Sequence, residues 1–210
     1  MQHLCIDLCA GLGGFSAAFK LDNSWEVVTV DLEKKFKPTI QADINYLPLK
    51  ESLSPDCLLM SPSCERFSLM GAGWPKHGIG RALSLVGSCL EAVAFLKPKK
   101  WLLENPKGRL RWFIGVPRQS IRYSDFDLTY QSQKPTDLWG NIDLPFCKQI
   151  RRPRTKRIGK PGVRQTFNFA TAYRCNAAER AEIPLGVSQA VKQGVEISIF
   201  ETNAIKPEVP

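Results

Sequence analysis

An α/β fold built on a doubly wound, mostly parallel sheet is the architecture that this 210-residue sequence predicts. Two observations predict it. Short apolar runs of strand type alternate with helical stretches, and glycines, carboxylates and one cysteine gather just past the carboxyl ends of those runs. In a doubly wound sheet that edge is where ligands bind. The length fits one domain, and 43% hydrophobic with 23% charged residues is enough to bury a core.

Each element follows from its pattern. HLCIDLC (3–9) reads as a strand and FSAAFKL (15–21) as a helix. WEVVTVD (25–31) and DCLLMSP (56–62) are strands with near-continuous apolar centres, the mark of burial on both faces. From Leu83 to Leu96, Val86, Cys89, Leu90, Val93 and Leu96 share one helical face. KKWLLENP (99–106) is again a strand, ending in what reads as a sharp turn at ENP. Near the C-terminus, Asn176 and Glu179 have the spacing of a capping box opening a last helix over 176–200, and the tail 201–210 reads as frayed.

Several classes drop out. The longest apolar runs (VVTV, CLLM, WLL) fall far short of a membrane span, and no basic segment precedes an apolar stretch at the N-terminus. Seven cysteines, with no scaffold spacing, point to a reducing compartment and a cytoplasmic protein. Without a CxxC, and with only His3 and His77 as histidines, no metal is expected.

The net charge of +9 is concentrated. Eight of the 29 basic residues lie between Lys148 and Arg164, where no acidic residue falls; the other 21 nearly balance the 20 acids. Such a cluster is either a solvated loop or a phosphate-backbone contact.

Two sites emerge at the strand ends. Gly11, Gly13 and Gly14 occupy a strand-to-helix turn where a backbone must turn tightly or be approached closely. Asp31, twenty residues past Gly11, stands where an acid can accept from both ribose hydroxyls, and Asp43 lies near the same edge. Ser16 replaces the third glycine of GxGxxG, so a nucleoside without a pyrophosphate is the better fit, against a purely structural turn. Cys64 sits just past a strand in a loop of small residues and prolines. It is either one more buried hydrophobe or a thiolate nucleophile. Glu104, at the end of the neighbouring strand, is an acid whose proton partial burial would retain.

At these residues the chain resembles the C5-cytosine DNA methyltransferase family. DLCAGLGGF (7–15) looks like its first motif, VDLE (30–33) and ADI (42–44) like the next two, SPSCERFSLMGAG (61–73) like the nucleophile loop, and LLENPKG (102–108) like the acid motif in its ENP form. AERAEIPLGVSQAVKQG (178–194) is similar to the C-terminal motif. The resemblance implies S-adenosyl-L-methionine at Asp7, Gly11, Gly13, Gly14, Asp31 and Asp43, and a flipped-out cytosine of DNA attacked at C6 by Cys64. It further implies that Glu104 assists at N3 and that Asn105 orients the loop or the base. Compact members of phage and prophage type, and restriction-modification, are the setting it suggests, with a monomer as the acting form.

The pattern has departures. Cys9 stands where phenylalanine is usual, Ser63 where the nucleophile's proline is usual, and Glu65 where glutamine is usual. YSDFDLTYQSQKPTDLWGN (123–141) occupies the place of a QxRxR element, with Lys134 or Arg122 as the phosphate-binding cation. The expected organisation is a catalytic and cofactor-binding core (1–146), a short basic segment in place of a target-recognition domain (147–175), a returning helix (176–200) and the tail (201–210). Arg151, Arg152 and Arg154 are the DNA contacts expected in the basic segment. An RNA C5-methyltransferase, another one-carbon C5-transferase, and a weakly active DNA-binding homologue are the alternatives. Trp74, Trp101, Trp112 and Trp139 read as core or rim, and Lys107, Arg109 and Arg111 as DNA contacts or a solvated helix cap.

Overall fold

In the computed structural model, seven strands form one sheet; the structure describes residues 2–68, 78–127, 135–145 and 182–204. In chain order the elements are β1 (His3–Leu8), a single helical turn α1 (Ala17–Lys20), β2 (Trp25–Asp31), β3 (Ile40–Gln41) and β4 (Cys57–Met60). There follow α2 (Ile79–Leu96), β5 (Lys100–Pro106), the short α3 (Arg111–Ile114), β6 (Gln119–Arg122), β7 (Pro135–Gly140) and α4 (Leu185–Ala204).

The strand order is β3-β2-β1-β4-β5-β7-β6. The first five pair in parallel, and β7 runs antiparallel between β5 and β6. This is a Rossmann-like sheet closed by an antiparallel edge. Winding reverses between β1 and β4, so the crevice expected to hold a ligand opens over the loops that leave those two strands.

Alternation along the strands feeds two cores. Cys5, Leu59 and Leu102 face a layer with Phe15, Phe19, Val187, Val191 and Val195, the side of α1 and α4. Ile6, Leu8, Leu58, Met60 and Leu103 face Val86, Cys89, Ala92 and Leu96 of α2. With an 18-residue window of mean hydropathy 1.6, α2 is long and apolar enough to cross a membrane, although its apolar residues are interrupted by glycine, serine and charge. Its packing gives that apolar character a different use, since one face covers the sheet.

Four expectations change in detail. The helix expected over 15–21 is a single turn, because the glycine loop occupies the chain up to Ser16. ENP is not a turn: β5 continues through Pro106, opposite Thr136, Asp137 and Leu138 of β7. Pro106 is tolerated there because β5 pairs with β4 only as far as Leu103. The last helix begins at Leu185, after Pro184, and runs to Ala204, into the stretch read as a frayed tail. A residue before proline avoids the helical region, so Ile183 and Pro184 delay the start. The capping pair Asn176 and Glu179 lies outside the described residues.

Candidate active site

The glycine loop follows β1 and bends through Gly11 (φ +53°) and Gly13 (φ +75°), a left-handed backbone that glycine adopts without strain. A side chain at Gly11 would meet nothing within 4 Å, so the turn presents open space there. Gly14 has a different duty. A Cβ on it would come within 2.5 Å of the Ile183 carbonyl oxygen, so Gly14 lets the segment before α4 press onto the loop. Asp31 ends β2 and locks the same loop. The Gly11 N–H donates to its Oδ2 (2.8 Å) and the Glu33 N–H to its Oδ1 (2.8 Å). Each carboxylate oxygen retains a lone pair for a further donor. Asp43 accepts from the backbone and side-chain nitrogens of Asn45 and caps a short 3-10 turn beside this edge.

Asp7 lies beneath the loop, fully buried. The Ser16 hydroxyl donates to its Oδ2 (2.6 Å), while its buried Oδ1 has no hydrogen-bond partner. Burial pushes its carboxyl up to about 6, opposed only in part by the Ser16 hydrogen bonds and the Lys20 charge. The residue that the family pattern assigns to the methyl donor therefore supports the loop from below. Its stability contribution has a definite sign. Below the usual carboxylate range Asp7 is protonated folded or unfolded. Between that range and about pH 6 the unfolded chain ionises Asp7 while the folded state keeps it protonated, so stability falls by roughly 3 kcal/mol across that window and is level above it. Melting temperature measured from pH 4 to pH 7 should drop less for Asp7→Asn than for the wild type. Parallel curves would show that the fold does not raise the Asp7 carboxyl above its ordinary range.

The reactive edge is built from β4, β5 and the loops that follow them. Just past β4, Cys64 is half-buried, and its carbonyl accepts from the N–H groups of Phe67 (3.0 Å) and Ser68 (2.9 Å), folding the loop into a turn. Asn105, fully buried on β5, donates from Nδ2 to the Pro62 carbonyl (2.9 Å). That bond fixes the backbone two residues before the thiol. The far side of the loop is stapled as well. The Arg109 N–H donates to the Phe67 carbonyl (2.8 Å), the Arg109 guanidinium donates to the Ser68 carbonyl (2.9 Å), and Ser68 bridges Gly108. Gly108 is required there, since a Cβ would stand 2.2 Å from the Phe67 oxygen.

Glu104 occupies the opposite face of β5 from Asn105 and is 7% exposed. The fully buried Tyr123, at the end of β6, donates its hydroxyl to Glu104 Oε1 (2.8 Å). Sequence reading missed Tyr123 because its segment carried no strand signal beyond one isoleucine. Cys64 follows β4, and Glu104 lies on β5 one residue past the last β4–β5 pair, while the glycine loop follows β1 on the other side of β4. The glycine loop, Asp31, Cys64 and Glu104 thus all lie toward the carboxyl-end edge of the parallel strands.

Other candidates resolve differently. Arg111 forms a two-pronged ion pair with the buried Asp137, which also accepts from Ser120 (2.9 Å). It is a structural cation, as Arg109 is. Trp139 is buried and donates to the Gly115 carbonyl (3.1 Å), whereas Trp112 is 66% exposed. Lys134, Arg151, Arg152, Arg154, Trp74 and the whole 147–175 segment lie outside the described residues.

Residues 4–111 match the model of the C-5 cytosine-specific DNA methylase family, a span that includes the glycine loop, Cys64 and Glu104. A protein of Frog virus 3 (isolate Goorha), named as a DNA (cytosine-5)-methyltransferase, is 27% identical over 154 residues, covering 66% of this chain and 70% of that protein. Among solved structures, a DNA modification methyltransferase encoded within an E. coli prophage is 16% identical, with a TM-score of 0.48 over 69% of this chain and 49% of that one. The Dnmt2 methyltransferase of S. pombe is 18% identical, with a TM-score of 0.43 over 66% and 50%. The chain spans about half the length of these two solved proteins. With just over half of its residues matched, from β1 to the start of α3, this chain belongs to the C-5 cytosine-specific DNA methylase family.

Proposed function

We propose that this protein transfers a methyl group from S-adenosyl-L-methionine to C5 of a cytosine in DNA through a transient Cys64–C6 bond. The observation that carries the reading is the placement of Cys64 in the loop past β4 and of Glu104 one residue beyond the last β4–β5 pair, Met60 and Leu103, in a chain of this family. The donor set fits the methyl donor: open space above Gly11, the half-buried Asp31 carboxylate at the end of β2, and Asp43 beside it. When bound there, S-adenosyl-L-methionine would supply an electrophilic methyl group.

The chain's own residues do the rest. The Cys64 thiolate adds to C6, and the electron pair of the C5–C6 double bond moves into the ring. Glu104 receives the charge that builds at N3, by hydrogen bond or by proton donation. Asn105 holds the Pro62 carbonyl, and so the height of the thiol over the base. After methylation, loss of the C5 proton expels the thiolate and restores the ring. Flipping brings the base to this buried edge, because neither carboxyl nor thiol can reach a stacked cytosine.

The direct test is mass-spectrometric analysis of DNA and of RNA incubated with the protein and S-adenosyl-L-methionine. 5-Methylcytosine should appear in DNA with the wild type and be absent with Cys64→Ala. Methylation confined to RNA would make RNA the substrate, and none in either would overturn the activity. For the segment 147–175, the same reading assigns Arg151, Arg152 and Arg154 to phosphates. Changing all three to alanine should weaken binding to every duplex sequence. It should also reduce the slope of log K against log salt by roughly 0.9 for each phosphate no longer neutralised, as read from titrations at several salt concentrations.

A further inference from the structure

The span 107–122 carries Lys107, Arg109, Arg111, Arg118 and Arg122 and no acidic residue. Three of these cations are engaged within the chain, Arg109 on Ser68, Arg111 on the buried Asp137 and Arg118 on the exposed Asp143. Lys107 and Arg122 remain exposed, one on each side of Pro135: the Lys107 N–H donates to its carbonyl (2.9 Å), and Arg122 pairs with it across β6 and β7. Between them in sequence stand two aromatic rings that the core does not absorb, Trp112 at 66% and Phe113 at 41% exposure.

The backbone that carries these rings is anchored to the fold. Arg111, the first residue of α3, is held in two-pronged fashion by the buried Asp137. The Trp112 N–H donates to the Arg109 carbonyl (2.9 Å), and Arg109 itself clasps the Cys64 loop. Phe113 lies edge-on to Phe67, three residues past Cys64, with ring centroids 6.4 Å apart. An exposed aromatic pair beside the reactive loop, on a span of one charge sign, matches what a nucleic-acid strand presents: π faces on a polyanion.

We propose that Trp112 and Phe113 form a stacking platform for an unpaired nucleobase of the DNA strand under modification, with Lys107 and Arg122 holding phosphates of that strand. This rests on the DNA reading above. Extracting a cytosine leaves its neighbours partly unstacked, and a fixed aromatic face next to the loop replaces the stacking they lose.

The test measures affinity for one oligonucleotide, single-stranded and duplex, across a salt series, with S-adenosyl-L-methionine binding and melting temperature as controls for folding. Trp112→Ala should weaken DNA binding about 5- to 150-fold at unchanged salt slope, and Trp112→Phe should recover most of the loss. Lys107→Ala and Arg122→Ala should each lower the duplex slope by roughly 0.9. A folded Trp112→Ala that binds DNA as the wild type does overturns the platform and leaves the methyltransferase reading intact. A wild type that binds no nucleic acid overturns both. A Trp112→Ala that alters only self-association in sedimentation, with DNA affinity untouched, assigns the face to a second copy and overturns the platform.

Discussion

Incubated with DNA carrying 5-fluorocytosine in its target and with S-adenosyl-L-methionine, the protein should migrate on a denaturing gel as a protein–DNA conjugate. The thiolate's bond to C6 is released only when a proton leaves C5, and fluorine in place of that hydrogen stops the cycle after methyl transfer. The loop that carries Cys64 is held from both sides, through Asn105 on the Pro62 carbonyl and through Arg109 on Phe67 and Ser68. Cys64→Ser should give no conjugate, because an unactivated hydroxyl is a far weaker nucleophile in the same position. Trapping should also weaken as pH falls, since only the thiolate attacks. A conjugate formed by Cys64→Ser, or wild-type turnover with none, would assign the attack to another group.

The second large effect belongs to Glu104. In Glu104→Gln the side chain keeps its shape and can still accept the Tyr123 hydroxyl, but it cannot pass a proton to N3. A positioned acid is worth about 10²–10⁴ in rate, so the conjugate should form slowly and still form. Tyr123→Phe should act in the same direction and by less, because it frees the carboxyl's orientation and leaves its chemistry. Single-turnover rates of conjugate formation separate the two. A Glu104→Gln protein that reacts at the wild-type rate would remove Glu104 from the mechanism.

The parallel half of the sheet was legible because its strands are short, apolar and buried on both faces, and β2 runs from Trp25 to Asp31 as its pattern predicts. The residues just past β1, β2 and β4, and those of β5 beyond its pairing with β4, stood out for a related reason: a doubly wound sheet has one ligand edge, and unusual residues collect there. The antiparallel edge was not legible. In Pro135–Gly140 a proline, a glycine and the charged Asp137 all argue against a strand. Asp137 is admitted to the interior only because Arg111 and Ser120, both from other segments, satisfy it. The ENP segment misled for the same reason. Proline and asparagine signal a turn locally, whereas pairing with β7 and the Asn105–Pro62 bond make this segment a strand. Long-range partners decided both cases, and sequence periodicity carries no record of them.

One bond pair has a consequence for the order in which the protein becomes competent. Ser188, fully buried on α4, accepts from the Ala18 N–H (2.9 Å) and donates to the Phe15 carbonyl (2.7 Å), while Ile183 rests on Gly14. The glycine loop thus leaves the ribosome well ahead of the serine that secures it, because the two are 170 residues apart. At about 5–20 residues per second that delay is roughly 10–30 s. Throughout it the nascent chain holds every residue of the glycine turn and lacks the brace that sets the turn's shape. Chains cut short before Ser188 should therefore carry that turn unbraced, and its final shape should arrive late in synthesis.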